Sequence, residues 1–251
     1  MKRLLCALLV SVLLASLCSC SQVDPDELNA AVAEKNSVTR TEAGYSLEIT
    51  VSGTTLYYAN GSVAFDRASR ELYASLEQTY LAMTESVQNY YSDGEMVSVQ
   101  GGEALTVQED ADELFGLFPD FEIFGYGEGC RDISVSDTSL GTAYTFTFSD
   151  GKKACDAIVG KDMYELALVI SDPQEEKTEY SDVICTYIVK EGKIVSCRYE
   201  FDVKLFDTPA YVPGYTPPEE EYTVPMHVSA KITYGNSGDA VKIPGYEGET
   251  D

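Results

Sequence analysis

The strongest constraint on the fold is a strict alternation of residue types near the C-terminus. Between residues 222 and 232, every second residue is apolar or aromatic, and more polar residues stand between them. Successive side chains of a β-strand point to opposite sides of a sheet, so this pattern predicts a strand with one buried face. Tyr45–Val51 and Tyr144–Phe148 show shorter stretches of the same alternation. The sequence therefore predicts a sheet whose two sides meet different surroundings.

Turn signals place further strands between these stretches. Ser92-Asp93-Gly94 separates Val87–Tyr91 from Met96–Val99, which predicts a hairpin on an Asp-Gly turn. Thr55–Asp66 is interpreted as a strand that Asn60-Gly61 interrupts. Residues 70–87 fit two structures, because their apolar residues recur at helical spacing while their tyrosines and threonine suit a strand. We favour a long strand there and keep a helix as the alternative.

Three segments predict helices. Asp24-Pro25-Asp26-Glu27 is a good helix start, with a capping Asp, Pro at the first helical position and acids in the first turn. Residues 108–117 are expected to form an acidic helix, and residues 152–160 a short helix that bears Cys155. The chain is therefore expected to combine a dominant sheet with a few short helices.

The N-terminal segment is typical of a secretory signal. Lys2 and Arg3 precede an uncharged stretch from Leu4 to Leu17, which is too short to span a bilayer comfortably. Leu17-Cys18-Ser19-Cys20 then resembles the lipobox of bacterial lipoproteins, with an aliphatic residue at −3, a small residue at −1 and cysteine at +1. We expect cleavage before Cys20 and lipid on that cysteine. The alternative is an ordinary secretory signal with incidental cysteines.

The charge of the chain restricts its partners. The formal net charge is −25 at pH 7. Such a polyanion is a poor partner for nucleic acid, whose phosphates require Lys and Arg, and anionic lipid headgroups repel it. Attachment to a membrane must therefore come from covalent lipid on Cys20, where two or three acyl chains hold a protein stably. The sequence leaves any protein partner unknown.

Four cysteines follow the lipobox: Cys130, Cys155, Cys185 and Cys197. Lys190-Glu191-Gly192 is interpreted as a three-residue hairpin loop, which would set Cys185 opposite Cys197 on one apolar face. A two-residue loop would put these two cysteines on different faces. In an exported protein we therefore expect a Cys185–Cys197 disulfide, which leaves Cys130–Cys155 as the second pair. The alternative is four buried free thiols that behave as small apolar side chains.

The sequence predicts no catalytic centre, metal site or cofactor. His227 is the only histidine, and it falls on the polar side of the alternation, where we expect it to face solvent. Ser-His-Asp and Cys-His arrangements then lack a credible base, and a zinc site lacks imidazole. The acidic run at residues 108–113 has neither the alternating oxygen ligands nor the glycine of an EF-hand loop. We interpret it as a solvated helix face.

Aromatic residues crowd a glycine-containing loop after the predicted 108–117 helix. One interpretation is a lid over an apolar cavity, and the other, which we favour, is a loop pinned to the core. The residues are Phe115, Phe118, Phe121, Phe124 and Tyr126.

Short motifs along nearly the whole mature chain carry a family resemblance. They are the helix Asp26–Glu34 leading into Tyr45–Val51, then Val63–Asp66, Tyr90–Gly94, Ile188–Ile194, and Ile232–Gly235 with Val241–Pro244. In this order the chain resembles the LolA/LolB-like superfamily of lipoproteins, including uncharacterised Gram-positive lipoproteins of that fold. The resemblance implies an α+β fold, a strongly curved antiparallel β-sheet (half-barrel) with helices on the concave side. Better-known members hold acyl chains or lipoprotein lipid in that hollow.

These observations together favour a non-enzymatic, membrane-anchored protein on the outer face of a bacterial cell membrane. By the resemblance, it is expected to bind a hydrophobic ligand, such as lipid or lipopeptide, in a half-barrel cavity. The alternative is a cell-surface module that meets a protein or a glycan with its acidic, tyrosine-rich outside and has no ligand cavity. The expected organisation is a signal peptide (1–19), a lipidated cysteine with linker and helix (20–44), one β-rich domain (45–246) and an acidic tail (247–251).

Overall fold

A computed structural model describes residues 24–80, 83–107, 123–159, 174–207, 216 and 222–248. Its helices are α1 (Asp26–Ser37) and α2 (Gly151–Ile158), and short 3-10 turns cover Glu175–Lys177 and Gly238–Ala240. The strands are β1 (Arg40–Val51), β2 (Thr54–Asp66), β3 (Glu71–Tyr80), β4 (Met83–Ser92), β5 (Glu95–Gln100), β6 (Glu103–Val107), β7 (Cys130–Thr138), β8 (Gly141–Phe148), β9 (Glu179–Tyr180), β10 (Val183–Lys190), β11 (Lys193–Phe206) and β12 (Thr223–Ser237).

All twelve strands belong to one sheet. Their order is β6-β5-β4-β3-β2-β1-β12-β11-β10-β8-β7, and β9 pairs with β11 beside this path. Every pairing is antiparallel. The sheet is curved and does not close into a barrel. The predicted fold class, an α+β half-barrel with an antiparallel sheet, is confirmed.

The alternation in β1 and β12 separates the two faces of the sheet. Tyr45, Leu47 and Ile49 are almost fully buried, and the residues between them are half-buried. In β12, Val228 and Ile232 are buried while His227 and Lys231 are exposed. We call the side of the sheet that carries Tyr45 and its neighbours in register the inner face, and the opposite side the outer face.

Helix α1 packs its apolar side on the inner face. Leu28, Ala31 and Val32 are buried and join the core that the sheet forms around β11. A carboxylate oxygen of Asp24 accepts the N–H of Asp26 at 3.0 Å, so the predicted acidic start of the helix satisfies one of its free N–H groups. The helix and the sheet therefore share one core.

Helix α2 closes the same side of the sheet. The side chain of Asp150 accepts the N–H of Lys153 at 2.9 Å and caps the helix. At the other end, the hydroxyl of Tyr45 donates to the carbonyl of Ile158 at 2.8 Å. Both described helices thus lie on the inner face. Neither has the length and apolar character needed to cross a membrane.

Two predictions about the first half of the sheet are wrong in detail. Residues 70–87 form neither a helix nor one long strand, because the chain reverses between β3 and β4 and these two strands pair with each other. The Asn60-Gly61 pair does not interrupt β2, which runs through both residues. Glycine is required there by close approach rather than by a turn, since a Cβ on Gly61 would collide with the main-chain oxygen of Ser75. The predicted 108–117 helix lies outside the described residues.

The β10–β11 hairpin has a different register from the predicted one. Its loop is Glu191–Gly192, two residues with φ of 53° and 74°, as a type I′ turn requires. The pairing then shifts between Ile188 and Val189, and this β-bulge compensates for the shorter loop. Cys185 lies opposite Tyr199 and Cys197 opposite Tyr187. The two cysteines remain on the inner face, but the direct opposition that supported their disulfide is absent.

Candidate functional site

One half of the inner face, from β8 to β1, is filled with side chains. Tyr187 and Tyr199 are completely buried there, and the Tyr199 hydroxyl donates to the Tyr187 hydroxyl at 3.0 Å. Phe146 packs edge-to-face on Tyr187, with ring centres 5.3 Å apart. Helix α1 and the segment at residues 123–126 lie over these rings. This half of the hollow is a packed core.

Two of the five aromatic residues proposed as a lid lie in the described chain. Phe124 stacks on Phe148 at 4.9 Å between ring centres, and its N–H donates to the Tyr187 hydroxyl. The N–H and the carbonyl of Tyr126 both bond the amide side chain of Asn29 in α1, at 2.7 and 3.0 Å. These contacts pin Phe124 and Tyr126 to the core. Phe115, Phe118 and Phe121 lie outside the described residues, as does Cys20.

From β3 towards the edge strand β6, large apolar side chains on the inner face become exposed. Ala59 and Ala74 are buried, but Met83 on β4 and Leu105 on β6 are 70% and 67% exposed. Their register places both on the inner face, since Met83 pairs with Tyr80 and Leu105 pairs with Ser98 in the row of Ala74. Leu76, Tyr80 and Val87 on β3 and β4 are partly buried, and the polar Ser98 and Gln100 on β5 separate them from Leu105. We call the apolar set the open inner face, which comprises Leu76, Tyr80, Met83, Val87 and Leu105.

The open inner face also carries a carboxylate. Glu85 stands between Met83 and Val87 on the inner side of β4 and accepts a hydrogen bond from the amide of Gln100. Burial, with the negative charge of Glu85 as a second cause, raises the pKa of Tyr57 to about 12. The Tyr57 hydroxyl is therefore neutral at physiological pH. Glu103 on β6 lies on the same side, because it pairs with Gln100 in the row of Val87. The surface combines apolar side chains with two acidic groups, so it suits an apolar chain with a neutral or cationic polar end.

Sequence patterns alone did not identify the open inner face. Met83, Val87 and Leu105 have the same apolar character as residues of the packed half. What distinguishes them is exposure, which depends on the parts of the sheet that the helices cover. The one signal in the sequence was the strand interpretation of residues 70–87.

The four cysteines after the lipobox are free thiols in the structure. Cys155, Cys185 and Cys197 are buried, and Cys130 is partly exposed. Burial raises the pKa of Cys155 to about 12 and raises the pKa values of Cys185 and Cys197 further. A protonated thiol in an apolar core behaves as a small apolar side chain, which is the alternative that the sequence left open.

His227 lies on the outer face, away from the open inner face. Its Nδ1 is 2.8 Å from a carboxylate oxygen of Asp202, its neighbour across the β11–β12 pair. Both line an open cleft of about 530 Å³. Ser181 lines the same cleft, but its hydroxyl donates to the carbonyl of Asp182 rather than to His227. The described residues bring together no group of three or more potential metal ligands.

No protein-family model and no curated protein matches the sequence. Solved structures that resemble the fold include lipoprotein LppX of Mycobacterium tuberculosis, 10% identical, covering 88% of this chain and 97% of that one, with a TM-score of 0.43. LprF from Mycobacterium bovis is 8% identical, covers 88% and 95%, and has a TM-score of 0.45. LolA superfamily protein NE2245 from Nitrosomonas europaea is 6% identical, covers 84% and 91%, and has a TM-score of 0.26. The chain's own topology is a curved, open antiparallel sheet with helices on the inner face, which is the half-barrel expected from the sequence.

Proposed function

We propose that this protein is an extracytoplasmic lipoprotein that binds a hydrophobic ligand, such as lipid or lipopeptide, along the open inner face. The observation that carries the proposal is the exposure of Met83 and Leu105 on the same side of the sheet as the packed core. Large apolar side chains on the inner side of a curved sheet are normally covered. A ligand that lies along β4 and β6 would cover both.

The energetics favour an acyl chain as the occupant. Burial contributes about 0.8 kcal/mol for each methylene removed from water, and full burial of a Met or Leu side chain contributes roughly 1.5–3 kcal/mol. Along β4, the four steps between the five residues from Met83 to Val87 span about 13 Å at 3.3 Å per residue. Leu105 lies two strands away on β6, beyond Ser98 and Gln100 of β5, so an extended chain would reach it by crossing β5 diagonally. An extended chain with many methylenes matches a long, narrow apolar track better than a compact ligand does.

The membrane anchor is the second part of the proposal. The lipobox-like Leu17-Cys18-Ser19-Cys20 supports lipid on Cys20, and the negative charge of the folded part supports attachment by acyl chains rather than by headgroup contacts. Such an anchor would place the protein on the outer face of the membrane. There, the open inner face has access to lipid without any need for the sheet to insert.

A carrier or binding role fits the described residues better than catalysis does. The open inner face offers apolar side chains, two carboxylates (Glu85 and Glu103) and one neutral tyrosine hydroxyl. The histidine and its aspartate partner lie on the opposite face of the sheet. We therefore propose that the protein binds its ligand without altering it.

The ligand is tested first by native mass spectrometry of the lipoprotein purified from its own host membrane. We expect a co-purifying species of acyl mass in addition to the covalent lipid. A direct test titrates the protein with a fluorescently labelled long-chain fatty acid. Met83→Asp and Leu105→Asp should each weaken binding about tenfold or more, because each places a charge on the apolar track.

Matched controls use exposed apolar residues outside the open inner face. Leu140 and Ile184 are 59% and 48% exposed, and Leu140→Asp and Ile184→Asp should leave binding unchanged. Equal loss in all four variants, or no loss in any, would show that the open inner face is not the site. The anchor is tested separately with Cys20→Ala, which should abolish incorporation of a clickable fatty acid and release the protein from the membrane fraction.

A further inference from the structure

A groove on the outer face of β2–β5 lies on the opposite side of the sheet from the open inner face. It encloses about 960 Å³. Its uncharged polar lining consists of Asn60, Ser62, Ser75, Thr84, Ser86 and Gln88. Apolar residues dominate most protein grooves that bind drug-like ligands. Leu76 and Val99 also line the groove, and the hydroxyls and amides around them select for a different chemistry.

The register arranges these side chains in rows across the strands. Ser62, Ser75 and Gln88 stand side by side on β2, β3 and β4. Two residues further along the strands, Asn60 and Ser86 flank Glu77 in a second row. Successive rows on one face are about 7 Å apart. The groove therefore presents a two-dimensional array of hydrogen-bonding groups, which a linear polar polymer can meet at several points.

Tyrosines border the array at one end. Tyr73 and Tyr90 form the next row, with ring centres 5.1 Å apart, and Tyr246 packs on Tyr90 at 5.5 Å. The Tyr90 hydroxyl donates to the side-chain oxygen of Gln88 at 3.0 Å, which joins the tyrosine cluster to the polar array. These rings are only partly buried. They offer flat apolar surface with a polar edge beside the hydroxyls and amides.

The array is available to a ligand. The side chains of Asn60, Ser62, Ser75 and Ser86 form no hydrogen bond to any other residue of the described ranges. Glu77 on the outer face adds negative charge to the lining, and the chain as a whole has a net charge of −25. An anionic polymer would be repelled from such a groove. An uncharged polymer rich in hydroxyl groups meets no such repulsion and matches the hydroxyls and amides of the array.

We propose that the outer groove binds a neutral oligosaccharide. The side chains of Asn60, Ser62, Ser75, Ser86 and Gln88 would exchange hydrogen bonds with sugar hydroxyls, and the face of one pyranose ring would lie on the tyrosine cluster. Binding in this groove does not depend on the hydrophobic-ligand function, because the two surfaces lie on opposite faces of the sheet. A lipid-anchored protein with such a groove would hold an envelope or environmental glycan near the membrane.

The test is isothermal titration of the full mature protein with neutral hexasaccharides of glucose and of N-acetylglucosamine, together with an anionic hyaluronan hexasaccharide. We expect at least one neutral hexasaccharide to bind and the anionic one not to bind. Ser86→Trp fills the groove and should weaken binding at least tenfold. Gln88→Ala removes one contact from the array without adding volume and should weaken binding severalfold.

Ser136→Trp is the matched control, because Ser136 is an exposed strand residue on β7, at the opposite edge of the sheet. It should bind sugar as the unmodified protein does, and so should Met83→Asp. Three results with the sugar probes would overturn the proposal. They are failure of every neutral hexasaccharide to bind at millimolar concentration, equal affinity for the anionic probe, and undiminished binding by both Ser86→Trp and Gln88→Ala. Binding of a protein through this groove in the absence of sugar binding would also overturn it.

Discussion

The hydroxyl of Tyr199 donates to the hydroxyl of Tyr187 at 3.0 Å in a part of the core that solvent does not reach. Tyr187 also accepts the N–H of Phe124 at 3.2 Å. Burial raises the pKa values of both tyrosines well above their ordinary value, so both are neutral. One hydroxyl thus joins β10, β11 and the segment at residues 123–126. This polar junction holds the packed half of the inner face closed.

Loss of the Tyr187 hydroxyl should destabilise the protein substantially. Tyr187→Phe leaves both the Tyr199 hydroxyl and the Phe124 N–H without their buried acceptor, and each such loss costs roughly 1–3 kcal/mol. We expect the free energy of unfolding in urea to fall by about 2–4 kcal/mol in total. Tyr199→Phe is the control and should cost less, because Tyr187 keeps its bond to Phe124. Equal losses of stability in the two variants would contradict the role of the Tyr187 hydroxyl as the acceptor shared by Tyr199 and Phe124.

Lys35 should give the protein an unusual alkaline stabilisation. It is 8% exposed, donates to the Thr41 hydroxyl at 2.9 Å and lies 4.2 Å from the centre of the Tyr234 ring. Burial, followed by the positive charge of Arg67, lowers the pKa of Lys35 from 10.5 to about 8. Between these two values the unfolded chain binds more protons than the folded chain. The contribution of Lys35 to stability therefore rises with pH in this window.

Lys35→Met isolates this effect. The free energy of unfolding should rise from pH 8 to pH 10.5 by about 2–3 kcal/mol more in the unmodified protein than in the variant. Below pH 8, where the lysine is charged in both states, the difference between the two proteins should be constant. Denaturant unfolding at several pH values measures both quantities. Parallel pH profiles across the whole range would show that Lys35 keeps its ordinary pKa.

Local signals identified the elements that depend on local chemistry. The Asp93-Gly94 turn, with both residues at positive φ, forms the predicted β4–β5 hairpin. Helix α1 also forms where predicted, although Pro25 takes the N-cap position rather than the expected first helical position. The register of the hairpin at Glu191–Gly192 was harder to predict, because the same residues fit a loop of two residues or a loop of three residues. A β-bulge next to the loop decides between them, and packing on the inner face selects that bulge. The spacing of residues in the sequence does not indicate which of the two loops forms.

The candidate surfaces were less predictable than the fold. Met83 and Leu105 become functional candidates only through their exposure, and the polar rows around Ser75 appear only when four strands are in register. Alternation along one strand shows which residues share a face. It does not show which face a helix covers or which strands are neighbours, because those depend on distant parts of the chain.

The thiols should differ sharply in reactivity. Cys130 is partly exposed, whereas Cys155, Cys185 and Cys197 are buried and have raised pKa values. Since only the thiolate reacts with iodoacetamide, the native protein at pH 8 should be labelled at Cys130 first. In urea, all four should react at similar rates. Peptide mapping under non-reducing conditions completes the test, since Cys185–Cys197 or Cys130–Cys155 linkage would contradict the free thiols and restore the disulfides expected from the sequence.

Gly61 should be among the least tolerant positions of the sheet. It lies in β2 opposite Leu76, and a Cβ there would meet the main-chain oxygen of Ser75, which cannot move without breaking the β2–β3 pairing. Overpacking of this kind costs typically 1–3 kcal/mol, and we expect Gly61→Ala to lose about 2 kcal/mol or more. Gly127→Ala is the control, because a Cβ on Gly127 meets no atom within 4 Å. It should leave the melting temperature unchanged. Because β2 and β3 carry both the open inner face and the outer groove, Gly61→Ala should weaken acyl and sugar binding together, and the loss of only one would show that the two surfaces do not share this backbone support.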